Sequence, residues 1–184
     1  MSGRTWVYSD PHFYHKNICR FESSPGVKLR PWDDVEQMTE DMIKWYNEMV
    51  DDGDRVYILG DVAFSATNMR NSVGRLKGRK VLVKGNHDPD NHRQMYQELF
   101  DDIRGYVQKN GFIMSHIPIH PASMSRWKLN IHGHLHDNSV EPVVGGPWVG
   151  YEESYDPRYF CACVEQTNFR PILLDDILKQ RHIV

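Results

Sequence analysis

The sequence predicts a layered α/β domain. Three observations carry this: short apolar runs that end in polar turn residues, helical stretches lying between several of them, and a length of 184 residues. Strands alternating with helices, followed by strands with fewer helices, imply packing around a central pair of sheets. The length fits one domain over residues 1–184, enough to bury a core and short for two. Apolar and charged fractions of 40% and 26% are those of an ordinary globular chain.

The elements follow in order. Thr5–Ser9, Arg55–Leu59, Lys80–Lys84, Phe112–Ser115, Lys128–Ile131 and Tyr159–Val164 are short apolar runs bounded by turn residues, and each reads as a strand. Asp33 or Asp34 is placed to cap a helix running to about Val50. In that stretch Val35, Met38, Met42, Trp45, Tyr46 and Met49 recur at helical spacing and form one core-facing stripe. Ala66–Leu76, His92–Phe100 and Leu174–Gln180 are shorter helix candidates. Asn138–Pro157 departs from this pattern, with Gly145-Gly146-Pro147 and three aromatic residues in a long connection. Its length fits either a small hairpin on the core or a flap over a site.

Composition excludes several classes of function. A net charge of -3 supplies no basic footprint for non-specific nucleic-acid binding. No run approaches the length of a membrane span, and no signal pattern precedes Trp6-Val7-Tyr8. Three cysteines, two of them (Cys161 and Cys163) in a strand-like stretch, point to buried thiols in a reducing cytoplasm rather than a disulfide framework.

Chemistry-bearing residues follow the strands. Asp10 and His12 are two apart, and at the end of an extended segment positions i and i+2 share a face. Asp61 follows a second strand, with Gly60 allowing a sharp turn. Gly85-Asn86-His87-Asp88 follows a third; then come His116, and His134 with His136. Two Asp, one Asn and four His are too many donors for a four-ligand structural zinc. They suit two ions if one carboxylate bridges, and oxygen and nitrogen donors without thiolate suit Mn, Fe, Zn or Ni better than Ca or a copper–thiolate site, with Mn the expected metal. Two ions about 3.5–4 Å apart clamp an in-line displacement at phosphorus.

The ordered set Asp-x-His, Gly-Asp, Gly-Asn-His-Asp, lone His and Gly-His-x-His resembles the calcineurin-like metallophosphoesterases, over about two-thirds of the chain. The Ser9-Asp10-Pro11-His12-Phe13 opening is most similar to compact bacterial and phage members. The resemblance implies a four-layer α-β-β-α sandwich with mixed sheets. It implies that Asp10, His12 and His136 hold one metal, Asn86, His116 and His134 the other, and that Asp61 bridges. His87 would give a proton to the leaving oxygen, with Asp88 orienting its ring, and a metal-activated hydroxide would attack. An arginine that follows Gly-Asp in larger members is missing from Asp61-Val62-Ala63-Phe64, which argues against a protein-phosphatase role.

These readings converge on a phosphoesterase for small phosphodiesters or monoesters, nucleotide-type and including cyclic nucleotides. A nuclease for short single strands and a non-catalytic module on the same fold are the alternatives. His15, on the Asp10 loop, is a candidate substrate contact, and His132 is read as a residue behind the ligands. Lys84, in the basic stretch Lys77–Lys84, is a candidate phosphate anchor.

Overall fold

The computed structural model describes residues 3–141 and 155–183. Its strands are β1 (Thr5–Tyr8), β2 (Glu22–Ser24), β3 (Val27–Lys28), β4 (Arg55–Ile58), β5 (Arg79–Val83), β6 (Asp102–Arg104), β7 (Tyr106–Lys109), β8 (Phe112–Ser115), β9 (Leu129–His132), β10 (Tyr159–Cys161) and β11 (Ile172–Leu173). Its α-helices are α1 (Val35–Met49), α2 (Ala66–Val73), α3 (Arg93–Leu99) and α4 (Leu174–Gln180).

Both main sheets are mixed. The first has the order β11-β1-β4-β5-β6, the second β10-β9-β8-β7, and β2 and β3 form a separate two-stranded ribbon. β1, β4, β5 and β6 run parallel because α1, α2 and α3 supply the crossovers that parallel pairing requires. Among the described residues, β11 alone opposes them. In the second sheet β8, β9 and β10 are parallel and β7 is antiparallel.

Alternation along the strands divides the core in two. Trp6, Tyr8, Val56, Ile58 and Leu82 face the helices, where Met38, Met42 and Tyr46 of α1 are fully buried. Burying each such side chain stabilises the fold by about 1.5–3 kcal/mol. Val7, Tyr57, Leu59, Val81 and Val83 face the second sheet's Phe112, Met114, Leu129 and Ile131, joined by Leu174 and Ile177 of α4. The described residues therefore show three layers: helices, sheet and sheet. They do not show the implied fourth layer as helices. Behind the second sheet Ile119 donates its N–H to Asn130 and its carbonyl accepts from Tyr159, just before a 3-10 turn at Pro121–Arg126.

The Asp34 carboxylate caps α1, accepting from the N–H groups of Glu36 and Gln37. Strands β6 and β7 lie where the sequence offers no apolar run. Three of their seven side chains are charged, and the strands are short sheet edges, where charge is tolerated. The ribbon β2–β3 is fully exposed, which is why it carries no hydrophobic alternation. The choice between hairpin and flap for Asn138–Pro157 falls largely on 142–154, outside the described residues; its flanks meet where Asp156 N–H donates to Val140 O at 2.7 Å. No helix among the described residues is long and apolar enough to cross a membrane.

Candidate metal centre

The strand ends bring the motifs to one edge. Asp10 follows β1, Asp61 follows β4, Asn86 follows β5, His116 follows β8, and His134 and His136 follow β9. Hydrogen bonds from Asp10 N–H to Gly60 O, His12 N–H to Asp61 O and Phe13 N–H to Val62 O stitch the first two loops together. Gly133 N–H to His116 O does the same in the second sheet, and a bridge between Ser9 and Cys163 joins the two sheets at this edge.

The local conformation is not the extended one expected for the Asp-x-His pair. Asp10, His12, Asp61, His134 and His136 all have left-handed backbone, with φ of 55°, 48°, 50°, 71° and 55°. Such conformations are rare for residues with a Cβ and cluster at functional sites. The pairs converge through turns, not through strand alternation. Glycine is required where these turns touch: a Cβ on Gly60, at φ +90°, would lie 2.5 Å from Gly85 N. One on Gly133 would lie 2.2 Å from the Asp10 carboxylate and from Ser9 Oγ.

Two groups of donors result. Asp10, His12 and His136 form one and Asp61, His116 and His134 the other, each with its donor atoms within 4.8 Å of one another. Asp61 lies between them: its Oδ2 is 3.8 Å from His12 Nε2 and its Oδ1 is 3.4 Å from His116 Nε2. Asn86 Oδ1 is 2.8 Å from His116 Nε2.

The electrostatics are those of a site built for cations. Asp10 Oδ1 and His12 Nε2 are buried and have no hydrogen-bond partner among the described residues. Leaving such atoms bare is costly, and a divalent ion would satisfy both. Burial pushes the Asp10 carboxyl up and the His12 imidazole well down, the latter leaving a neutral ring suited to ligation. Burial opposes ionisation of the Asp61–His116 pair too, but their mutual hydrogen bond and charge prevail. Asp61 is held at about 2 and His116 raised to about 9.

His136 is steered from behind. Its Nδ1 lies 3.0 Å from Glu165 Oε1, which also accepts from Arg30. Arg30 is fully buried and donates as well to the carbonyls of Asp10 and Pro11. Burial works against the Glu165 charge, yet Arg30 and His136 bring its carboxyl down to about 2. Cys163 gives its thiol hydrogen bond to Asp10 Oδ2 and its sulfur accepts from His136 N–H. Sequence reasoning passed over Arg30 and Glu165, and read Cys163 only as a buried thiol. Glu165 had a signal, since it too follows an apolar run; Arg30 had none.

The remaining expectations divide. His87 is exposed at the rim, its ring 4.8 Å from Phe64 and its N–H donated to Asp61 Oδ1. His15 also lies beside the group, 4.3 Å from Phe64 and 5.7 Å from His12 between ring centroids. Asp88 does not orient His87. Its buried carboxylate accepts from the N–H groups of Asp61, Val62 and Gly85, so it locks two loops together instead. Lys84 is turned to an ion pair with Asp90. His132 is buried with Nδ1 on Gly133 O, behind the donors.

A family profile for calcineurin-like phosphoesterases matches residues 3–158. The chain belongs to this family. Among relatives of the phosphoesterase, an uncharacterized protein of Methanocaldococcus jannaschii is 30% identical over 181 residues, covering 96% of this chain and 90% of the relative. The gene 66 protein of Mycobacterium phage L5 is 28% identical, covering 74% of this chain and 79% of its own. A crystal structure of a protein of unknown function from Aquifex aeolicus superposes on this phosphoesterase with a TM-score of 0.65 at 24% identity. It covers 97% of this chain and 99% of that one, and it shows the shared fold. The family depends on a dinuclear metal centre, and the two donor groups are the candidates for it here.

Proposed function

We propose that this phosphoesterase hydrolyses small nucleotide-type phosphodiesters with two divalent ions, manganese favoured, held by Asp10, His12 and His136 and by Asn86, His116 and His134. The observation that carries the reading is Asp61, whose two oxygens face one donor group each. The ions, when bound, supply Lewis acidity toward the phosphoryl oxygens.

The chain's own residues supply the rest. His87, at the rim above Asp61, is the proton donor to the departing oxygen, a role that imidazole fills near neutral pH. Phe64 is 39% exposed and stands against His12, His15 and His87, forming an aromatic wall suited to a nucleobase. Diesters are favoured over monoesters on charge. A monoester dianion calls for added cations, but Arg30 is turned to backbone carbonyls and Glu165, and Lys84 to Asp90.

Metal content and turnover test this together. Wild type is expected to bind about two ions, the count of such a clamp, and to cleave bis-p-nitrophenyl phosphate and a nucleotide diester. Asp61→Asn is expected to lose metal and turnover. His87→Ala should cost roughly 10²–10⁴-fold on the nucleotide diester and far less on the nitrophenyl ester, whose leaving group needs little protonation. Wild type that binds no metal and stays inert with Mn, Fe, Zn and Ni would sink the reading.

A further inference from the structure

A cavity among the described residues lies away from the metal centre. It measures about 750 Å³, within the usual range for small-molecule sites. It opens where the two sheets diverge, at the starts of β4 and β5, whereas Asp61 and Asn86 follow the ends of those strands. At about 3.3 Å per residue the two places are a strand's length apart, about 15 Å.

The lining is built from both sheets. Tyr57 and Val81 of the first sheet and Val107 of the second give an apolar floor, continuous with the inter-sheet core. Above it stand Arg55 and Arg79, which are directly paired across β4 and β5. Two like charges in register destabilise a sheet unless something compensates them. Arg104 is neutralised by Asp102, and the Asp101 carboxylate accepts from the Lys80 N–H. Arg55, Arg79 and Lys109 have no acidic partner among the described residues, in a chain whose net charge is -3. Tyr106, 56% exposed, closes one side.

A cationic wall over an apolar, tyrosine-bearing floor complements a phosphate carried on an aromatic group. We propose that this cleft binds a phosphorylated aromatic ligand, a nucleoside monophosphate, at a site distinct from the metal centre. Its phosphate would sit between Arg55 and Arg79, where guanidinium forks grip phosphate oxygens, and its base over Tyr57 and Val81 beside Tyr106.

Titration calorimetry with AMP tests this independently of catalysis. Asp61→Asn serves as the background in which the metal centre is disabled. That variant is expected to bind one AMP, and to bind inorganic phosphate at least tenfold more weakly. Adding Arg55→Gln and Arg79→Gln should abolish AMP binding. The same two changes in the wild-type chain should leave turnover of bis-p-nitrophenyl phosphate unaltered, which certifies folding. AMP binding that survives both arginine changes overturns the proposal, as does no AMP binding in the Asp61→Asn variant or phosphate binding as tight as AMP. Because none of the binding readouts needs activity, failure of the hydrolase reading would show separately, as an inert wild type.

Discussion

At the scale of the residue, the metal centre depends on side chains that never reach the metal position. Glu165 holds His136 Nδ1, which leaves Nε2 to face Asp10 and His12, and Arg30 anchors both Glu165 and the Asp10–Pro11 carbonyls. A partner of this kind fixes the tautomer of a ligating imidazole and is worth about 10–100-fold in metal affinity. Glu165→Gln is therefore expected to weaken Mn binding by roughly that factor while leaving the two-ion stoichiometry at saturation. Isothermal titration would decide it, and unchanged affinity would reduce Glu165 to a packing residue. Sequence order named the side chains of the two donor groups, because each stands just after an apolar run, but not Arg30 or Glu165 behind them. It could not assign Asp88, because an acid next to His87 in sequence says nothing about which backbone N–H groups its carboxylate meets.

At the scale of the element, the central strands were legible and the edges were not. β1, β4, β5, β8 and β9 bury apolar side chains, so their pattern is strong; β6 and β7 carry charges and expose most of theirs. The start of β1 is instead fixed by a polar knot, in which Asp54 accepts from the Arg4 and Asp51 N–H groups, the Trp6 indole and the Arg4 guanidinium. Burial opposes its charge, but these donors prevail and hold its carboxyl at about 2. A carboxyl depressed from 3.8 contributes stability above the unfolded value, and that contribution is lost as pH falls from about 4 through about 2. Acid unfolding should begin in this window, and Asp54→Asn should flatten the pH dependence there while lowering stability at pH 7. An identical acid limb in the variant would remove Asp54 from the account.

At the scale of the whole molecule, the donors come from the ends of strands in both sheets, so bound ions would tie the sheets together. Any ligand confined to the folded state stabilises it by mass action, about 2.7 kcal/mol at a hundredfold excess over Kd. For a chain of this size that corresponds to roughly 5–10 °C in Tm. Chelation is expected to lower Tm by about that amount, Mn to restore it, and Asp61→Asn to respond to neither. A Tm indifferent to chelator in the wild type would mean that the two donor groups hold no ion. The layered packing around a pair of sheets was readable from the alternation of strands and helices; that helices cover the outside of the first sheet was not. The cleft at Arg55 and Arg79 was not, because cross-strand pairing becomes visible only once the sheet order is known.

The left-handed backbone at Asp10, His12, Asp61, His134 and His136 decides how an inactive version of this protein should be made. Alanine at these positions removes a donor and also places a plain side chain in a conformation that costs about 1–2 kcal/mol per residue. Asparagine enters that conformation far more readily. Asparagine replacements are thus the ones that silence the centre while keeping its shape, and an alanine scan of the same five residues would mistake lost folding for lost chemistry.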